Sequence, residues 1–246
     1  SAGGSAPVTL AGAVAVHLAE AMTANILRRA FYGGRKLELS STIAPYDMKT
    51  LIYAYGRPER QLCNLMMADV AKRYHAPCSG HGGHSDAKRP GPEAAAQRML
   101  TSIPTLMGCG GIRVCAGLLS TDEICSPLQL ILDDEIIAAL RRFGRGCEVS
   151  DETIGFEAIQ EVGPGRSFID HPHTAEHFRD ELWMPSLWTR SMFAAWSEQD
   201  GRMDIDKAMD VYRDILNKPD PEPELSEAAD QRLQAIIARA AVAVHG

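Results

Sequence analysis

The segment HAPCSGHGGHSDAK, residues 75–88, places four potential metal ligands within ten positions: His75, Cys78, His81 and His84. Zinc sites in proteins use cysteine and histidine at short spacings, so these residue types are suitable ligands for zinc. However, a spacing of three residues along a strand that runs into glycines directs the side chains apart. No second Cys/His pair follows nearby. We therefore predict that the four side chains do not converge and that this segment holds no metal.

The same segment lies between a predicted strand, APCSG at 76–80, and a predicted helix. In parallel α/β folds, ligands bind where the strands end. The glycines at positions 80, 82 and 83 allow the backbone to approach a ligand closely, and Asp86 and Lys88 add charge at the same place. We predict a ligand-binding loop in which His84 and Asp86 contact the substrate.

A second candidate is PYDM, residues 45–48, which follows the predicted strand KLELSST. Tyr46 and Asp47 would then reach the same edge of the sheet as His84. An aromatic ring beside a carboxylate is suitable for binding a quaternary ammonium group, because the ring face attracts a cation. A plain turn explains the two residues equally well.

The segment FIDHPHTAEHF, residues 168–178, contains an HxH pair, His171 and His173. Such a pair is the first metal-binding element of barrel hydrolases, which would also require further histidines and a late aspartate. Only His245 follows in the sequence. Histidines that stabilise the start of a helix are the preferred interpretation. A metal-dependent hydrolase that uses His171 and His173, or the cluster at 75–84, remains the alternative function.

Predicted strands and helices alternate along the first part of the chain. Strands are predicted at 36–42, 76–80 and 112–117, separated by helices, and this order is typical of βαβ units around a parallel sheet. Three such units are too few for a complete eight-stranded barrel. We predict the C-terminal half of a TIM (β/α)8 barrel over residues 1–150 and a helical C-terminal extension over residues 151–246, joined to a last helix by the Pro-rich linker KPDPEPE at 218–224.

Several helix boundaries follow from the local sequence. A helix is predicted over 9–31, and it is expected to be buried. Another is predicted over 58–74, and a third starts at Pro92 and is expected to end or kink near Pro104. Ser126 and Gln129 predict a capping box. The apolar positions at helical spacing are Leu62, Leu65, Met66 and Val70 in the second helix and Leu128, Leu132, Ile136 and Leu140 in the one after Ser126.

Composition limits the function classes. The 246-residue chain has a net charge of −7 and contains no Lys/Arg-rich run, which argues against nucleic acid as a partner. The apolar N-terminal run is interrupted by His17 and Glu20, so neither a membrane span nor a signal peptide is predicted. Six cysteines without CxxC spacing indicate reduced thiols in a cytoplasmic protein. Three of them, Cys63, Cys109 and Cys115, are expected to be buried and inert.

Several longer blocks together resemble the C-terminal half of the trimethylamine methyltransferase family, including its glycine betaine members that lack pyrrolysine. The resemblance runs nearly from end to end, and its longest block is EVGPGRSFIDHPHTAEHFRDELW at 161–183. The other blocks are GGSAPVTLAGA (3–13), YDMKT (46–50), YGRPERQLCN (55–64), GHSDAK (83–88) and DDEII (133–137).

The resemblance implies a TIM barrel that transfers a methyl group from an N-methylated amine to the cobalt of a separate corrinoid protein. The corrinoid would be carried by that partner and not bound covalently here. Because no pyrrolysine is present, a quaternary amine such as a betaine is the expected substrate. Tyr46, Asp47, His84 and Asp86 are the expected substrate-binding residues, and no catalytic residue is assigned.

Two features limit this expectation. After GHSDAK, the sequence departs from the family pattern at Gly91, Glu93 and Gln97, which leaves the identity of the amine open. The family's members also start well upstream of Ser1, so a third interpretation is that this chain has no activity without a first half-barrel. The corrinoid partner and the assembly into a homo-oligomer are open as well.

Overall fold

A parallel three-stranded sheet lies at the centre of the fold. The computed structural model describes residues 1–33, 36–219 and 225–245. The strands are β1 (Leu39–Ser41), β2 (Cys78–Gly82) and β3 (Ile112–Val114), in the order β1-β2-β3. Leu39 pairs with Cys78, and Gly80 pairs with Ile112. The prediction of three adjacent parallel strands is therefore confirmed, although β1 and β3 are shorter than predicted and β2 begins and ends two residues later.

Helices connect these strands, and a short antiparallel hairpin follows the sheet. The hairpin is formed by β4 (Leu118–Leu119) and β5 (Ile124–Cys125). The first four helices are α1 (Leu10–Tyr32), α2 (Pro58–Arg73), α3 (Pro92–Cys109) and α4 (Pro127–Arg145). The later helices are α5 (Asp151–Ile154), α6 (Phe156–Val162), α7 (Pro172–Glu181), α8 (Phe193–Glu198), α9 (Asp204–Leu216) and α10 (Glu227–His245).

Two glycines in β2 allow α3 to pack closely on the sheet. A Cβ atom at Gly80 would lie 2.1 Å from Thr105 Cγ2, and one at Gly82 would lie 2.8 Å from the Thr101 carbonyl oxygen. Both contacts are shorter than side chains tolerate, so only glycine permits this approach. Because α2 also packs against β1, β2 and α3, the two helices cover the same face of the sheet.

The opposite face of the sheet is polar. Side chains alternate across a strand, so residues between those that face α2 and α3 point the other way. Ser40, Ser79, His81 and Arg113 occupy these positions and line a cavity of about 470 Å³ together with Asn25 and Arg28 of α1.

The N-terminal helix forms as predicted, but the prediction that it is buried is wrong. Only Ala13 and Val14 of α1 are buried, and they pack against β1 and α2. Ile26 and Phe31 are 68% and 77% exposed. The sequence is apolar around the whole circumference, so its pattern does not distinguish the one stripe that finds a partner. By length and composition alone α1 is able to cross a membrane, a property that core helices and signal sequences share.

Two details of the next helices also differ from expectation. Pro104 does not end α3, which continues to Cys109. In α2 the buried stripe is not centred on the predicted apolar positions, and Leu62 is 50% exposed. Apart from Met67, the buried positions of α2 are instead small or polar: Arg60, Gln61, Cys63, Asn64, Ala68 and Ala71.

The cap of α4 is confirmed in part. The Ser126 hydroxyl accepts a hydrogen bond from the Gln129 backbone N–H at 3.2 Å, as predicted, while the Gln129 side chain donates to Asp133. Ile136 and Leu140 are buried as expected. Glu135 is buried too, and its carboxylate accepts hydrogen bonds from three successive backbone N–H groups at residues 186–188.

The chain divides into two compact units, Ser1–Tyr212 and Arg213–Gly246. The first contains the sheet and extends past residue 150, where we expected the barrel portion to end. The second contains the end of α9 and all of α10. Most of the predicted linker lies outside the described residues, since positions 220–224 are not described. The parallel sheet agrees with an α/β fold, and the half-barrel remains a prediction.

Candidate active site

The loops that follow β1 and β2 bring a row of four aromatic rings together. Tyr46 stacks on Tyr53 with ring centroids 4.5 Å apart, and Tyr53 lies 6.0 Å from Tyr55. Tyr55 in turn meets the imidazole of His84 edge to face at 5.1 Å. Since both loops leave the carboxyl ends of parallel strands, this row occupies the edge where parallel α/β folds bind ligands.

His84 lies at the buried end of the row. Only 3% of the residue is exposed. Its Nε2 atom lies 3.1 Å from Arg60 Nη2 and 3.4 Å from Cys115 Sγ. An arginine side chain only donates hydrogen bonds, so Nε2 is the acceptor and the proton of the neutral ring is on Nδ1. Nδ1 faces Asp122 Oδ1 at 3.5 Å and has no hydrogen-bond partner among the described residues.

The surroundings keep the His84 imidazole uncharged. Burial, followed by the positive charge of Arg60, lowers the pKa of His84 from 6.5 to about 3. Burial also lowers the pKa of His81, whose ring stacks on that of His84 at 6.2 Å. At neutral pH His84 therefore acts as a hydrogen-bonding group and not as a proton donor to a leaving group.

Asp86 ties the two loops together. Its Oδ1 accepts a hydrogen bond from the Tyr55 backbone N–H at 2.8 Å, and its Oδ2 accepts one from Gly56 at 3.0 Å. The Thr121 hydroxyl lies 3.3 Å from Oδ1. Asp86 therefore fixes the position of Tyr55, because both of its oxygens are used to hold the loop that carries this ring.

The expected pair Tyr46 and Asp47 has two different environments. The Tyr46 ring is half-buried beside Gly4, where a Cβ atom would lie 2.3 Å from the ring. Asp47 Oδ1 accepts hydrogen bonds from the backbone N–H groups of Lys49 and Thr50 at 2.8 and 3.0 Å. These bonds lower the pKa of Asp47. The Asp47 carboxylate also pairs with Arg57, so it stabilises its own turn.

Two of the three residues at which we expected a departure from the family pattern, Glu93 and Gln97, support the loop that contains His84 and Asp86. Gln97 Oε1 accepts hydrogen bonds from the Asp86 backbone N–H at 2.7 Å and from the Ser85 hydroxyl at 2.9 Å. The Gln97 amide donates to Glu93 at 3.3 Å. Gly91 and Glu93 also line a cavity of about 930 Å³, whose far side includes Leu132, Trp188 and Met203.

A buried ion pair holds the ends of β2 and β3. Arg98 and Asp133 have 1% exposed side chains, and Arg98 Nη1 lies 2.9 Å from Asp133 Oδ2. The Arg98 guanidinium also donates to the carbonyl oxygens of Gly83, Cys115 and Leu118. Desolvation raises the pKa of Asp133, and the charge of Arg98 opposes that shift. Arg98 thus fixes the backbone on both sides of the contact between His84 and Cys115.

The turn of the β4–β5 hairpin covers the same region. Ser120, Thr121 and Asp122 have φ angles of 52°, 58° and 71°, which are unfavourable for residues other than glycine. The turn is held by hydrogen bonds from the Ser120 N–H to Ala87 O at 2.9 Å and from the Thr121 N–H to Ser85 O at 3.2 Å. It carries Asp122 to His84.

The predicted absence of a four-ligand cluster at 75–84 agrees with the positions of these residues. His75 is exposed, and Cys78 Sγ lies 3.5 Å from Cys109 Sγ. A different group does form: the ligating atoms of His81, His84 and Cys115 lie within 4.8 Å of one another. Cys115, which we expected to be an inert thiol, is thus part of the site, and burial raises its pKa.

The histidines at 171 and 173 serve the start of α7. The His171 ring accepts a hydrogen bond from the His173 backbone N–H at 3.2 Å, and its Nε2 lies 3.0 Å from Glu161 Oε2. The His173 ring packs against His177 at 4.4 Å and against Gly155. Among the described residues, neither histidine belongs to a group of three or more potential metal ligands.

Sequence reasoning missed Arg60, Tyr55 and Asp122 as site residues. The buried positions of α2 recur at helical spacing, at 60, 63, 64, 67 and 71. Arg60 is a charged residue in this buried stripe, and that unusual position could have indicated a functional residue. Tyr55 lies three residues before the start of α2, in the block YGRPERQLCN. Asp122 had no comparable signal, because its place depends on an unusual turn.

Comparison with known proteins identifies the family. The model of the trimethylamine methyltransferase (MTTB) family matches residues 1–244. The chain is 31% identical over 245 residues to the trimethylamine methyltransferase MttB of Methanosarcina barkeri, covering 99% of this chain and 49% of that protein. It is 29% identical over 240 residues to the glycine betaine methyltransferase of Desulfitobacterium hafniense, covering 97% of this chain and 50% of that protein. The chain therefore belongs to the trimethylamine methyltransferase family, and it spans about half the length of these relatives.

Proposed function

We propose that this protein takes part in transferring a methyl group from a quaternary N-methylated amine, such as a betaine, to the cobalt of a separate corrinoid protein. The proposal is supported by membership of the family and by relatives named for trimethylamine and glycine betaine. The main structural observation in favour of a quaternary amine as the substrate is the row of rings from Tyr46 to His84, at the edge where the strands end.

The chemistry of the step fits these groups. The reduced cobalt of the acceptor supplies an electron pair to the methyl carbon, and the pair of the C–N bond leaves with the nitrogen. A quaternary ammonium then departs as a neutral amine, so no proton has to be donated. His84, with a pKa of about 3, is neutral at physiological pH. Because the leaving amine needs no proton, a neutral histidine is adequate for this reaction. The main task of the site is to hold the cation in line with the acceptor.

The residues have separate roles in this proposal. Tyr46 and Tyr53 offer aromatic surface to the trimethylammonium group. His84 provides a hydrogen bond to the polar end of the substrate through Nδ1, which has no partner among the described residues. Asp86 acts as the loop anchor that holds Tyr55, and Asp47 maintains the turn after Tyr46.

A methyl-transfer assay tests the function. The purified protein is mixed with glycine betaine and a reduced corrinoid protein, and the loss of Co(I) absorbance is followed together with the formation of dimethylglycine. We expect betaine-dependent methylation of the corrinoid. The Tyr46→Leu variant should be slower by about 2- to 30-fold, as expected for losing a cation–π contact of ~0.5–2 kcal/mol.

The matched control is Tyr74→Leu. Tyr74 is 55% exposed and ends α2, before β2 begins, at the opposite end of the strands from the ring row. It should leave the rate unchanged. No betaine-dependent loss of Co(I) with the wild-type protein would contradict the proposed function.

A metal-dependent hydrolase is the second candidate, and one observation favours it: the convergence of His81, His84 and Cys115. The guanidinium of Arg60, 3.1 Å from His84 Nε2, opposes a cation at that nitrogen. Metal analysis separates the two candidates. About one zinc ion retained per chain after dialysis, lost in the Cys115→Ser variant, would favour the hydrolase.

A further inference from the structure

Arg60 is a buried cation that has no carboxylate within ion-pair distance among the described residues. It is 3% exposed, and it forms no ion pair within 4.0 Å with a carboxylate of the described residues. Its contacts are the neutral His84 ring at 3.1 Å and the face of Tyr55, whose centroid lies 4.5 Å from the guanidinium carbon. The Nε–H group of Arg60 also has no hydrogen-bond partner among the described residues.

The second buried arginine of the site provides a direct comparison. Arg98 has Asp133 at 2.9 Å and three carbonyl oxygens as acceptors. A guanidinium removed from water is costly unless an anion and hydrogen-bond acceptors replace the lost solvation. Arg98 has these replacements within the fold. Arg60 contacts a neutral ring nitrogen and an aromatic face, and the carboxylates of Asp122 and Asp86 act on it from beyond ion-pair distance. An anionic ligand would supply what Arg60 lacks.

We propose that Arg60 binds the carboxylate of a betaine, and thus selects zwitterionic substrates over simple methylamines; this inference rests on the function proposed above. The placement fits a small zwitterion. Arg60 lies against Tyr55, and Tyr55 is 6.0 Å from Tyr53, the next ring in the row. In glycine betaine a single methylene joins the carboxylate to the trimethylammonium group, so the two ends occupy adjacent positions. Arginine is well suited to this role because its planar fork matches a carboxylate.

The position of Arg60 in its helix adds to the attraction. Arg60 lies in the first turn of α2, which begins at Pro58. The partial positive charge at a helix N-terminus favours a nearby anion. The Ser120–Asp122 turn lies over this region and places Asp122 against His84. A carboxylate that reaches Arg60 therefore requires this turn to shift, and the three unfavourable φ angles of the turn lower the energetic cost of that shift.

Calorimetric binding of two ligands to the purified protein tests the inference. Glycine betaine and choline share the trimethylammonium group, but only the betaine carries a carboxylate. We expect Arg60→Gln to weaken betaine binding by about 10- to 100-fold, the loss that follows from removing a charged hydrogen-bonding partner. Choline binding should change by less than about twofold.

Two further variants complete the design. Arg60→Lys keeps the positive charge but loses the planar guanidinium, and it should bind betaine with intermediate affinity. This variant also tests the inference if Arg60→Gln fails to fold. Arg28→Gln is the matched control, since Arg28 pairs with Glu38 before β1, at the other end of the strands.

The outcomes distinguish the two proposals. In one outcome, wild-type protein binds both ligands, and the Arg60 variants weaken the binding of both equally or leave the binding of both unchanged. The carboxylate assignment is then overturned, while the quaternary-amine site stands. If wild-type protein binds neither ligand, the proposed function fails and the assignment fails with it.

Discussion

The buried pair Arg98–Asp133 gives the sharpest prediction about stability. Replacing Asp133 by asparagine keeps the size of the side chain but removes its charge. Asp133 Oδ2 faces two donors, Arg98 Nη1 at 2.9 Å and the Gly117 N–H at 2.7 Å, and Oδ1 faces the Gln129 amide at 2.7 Å. An asparagine NH2 group would thus oppose a donor in either orientation.

The expected loss is large because the remaining cation cannot reach water. Arg98 has a 1% exposed side chain, and removing one partner of a buried ion pair costs about 3–5 kcal/mol. For a domain of this size each kcal/mol lowers the melting temperature by about 2–4 °C, so the Asp133→Asn variant should melt roughly 6–20 °C lower. Urea unfolding followed by circular dichroism measures the free energy, and a thermal scan measures the melting temperature.

An exposed pair is the control. Asp69 Oδ1 lies 3.2 Å from Lys72 Nζ, and both side chains are more than half exposed. The Asp69→Asn variant should change the free energy of unfolding by less than about 0.5 kcal/mol. If Asp133→Asn loses less than about 1 kcal/mol, the pair does not hold the ends of β2 and β3 as we argue, since the uncompensated buried cation should cost more than that.

Three other predictions concern the same region. The folded-state pKa of His84, about 3, lies below the value of 6.5 for an exposed histidine. The unfolded state therefore binds a proton that the folded state does not, and stability should fall as pH drops from 6.5 toward 3, by up to about 1.4 kcal/mol per unit. Urea titrations at several pH values should show a flatter dependence for His84→Gln. The Gly82→Ala variant places a Cβ 2.8 Å from a backbone oxygen of α3 and should lose about 1–3 kcal/mol, whereas Gly111→Ala, with no atom within 4 Å, should change little; equal losses in the two would contradict the packing argument. Asp86→Asn should lower stability by about 1–3 kcal/mol and increase amide hydrogen exchange at Tyr55, because one of two accepted backbone N–H bonds is lost; unchanged exchange would show that Asp86 is not the anchor.

The sequence predicted the parallel strands because short β-forming runs alternate with helical segments. It predicted the position of His84 and Asp86 at the strand ends for the same reason. Burial was harder to predict. In α2 the exposed Leu62 fits an apolar pattern better than the buried Gln61 and Asn64, whose side chains form hydrogen bonds to each other and to Thr105 through Gln61 Oε1 and Asn64 Nδ2. Those bonds depend on Thr105 of α3, a residue 41 positions away from Asn64, and local periodicity does not report such a partner.

Gln97, one of the positions where we expected a departure from the family pattern, acts on the site through the backbone. Gln97 holds the Asp86 N–H, and Asp86 holds the N–H groups of Tyr55 and Gly56. This chain of hydrogen bonds connects α3 to the loop that presents Tyr55 to Arg60 and His84. A change at position 97 therefore alters where an aromatic ring stands, even though Gln97 is separated from that ring by two hydrogen bonds. Substrate preference within this family is then expected to vary with residues that position the rings as well as with residues that touch the amine, since a small displacement of a binding group is enough to change affinity.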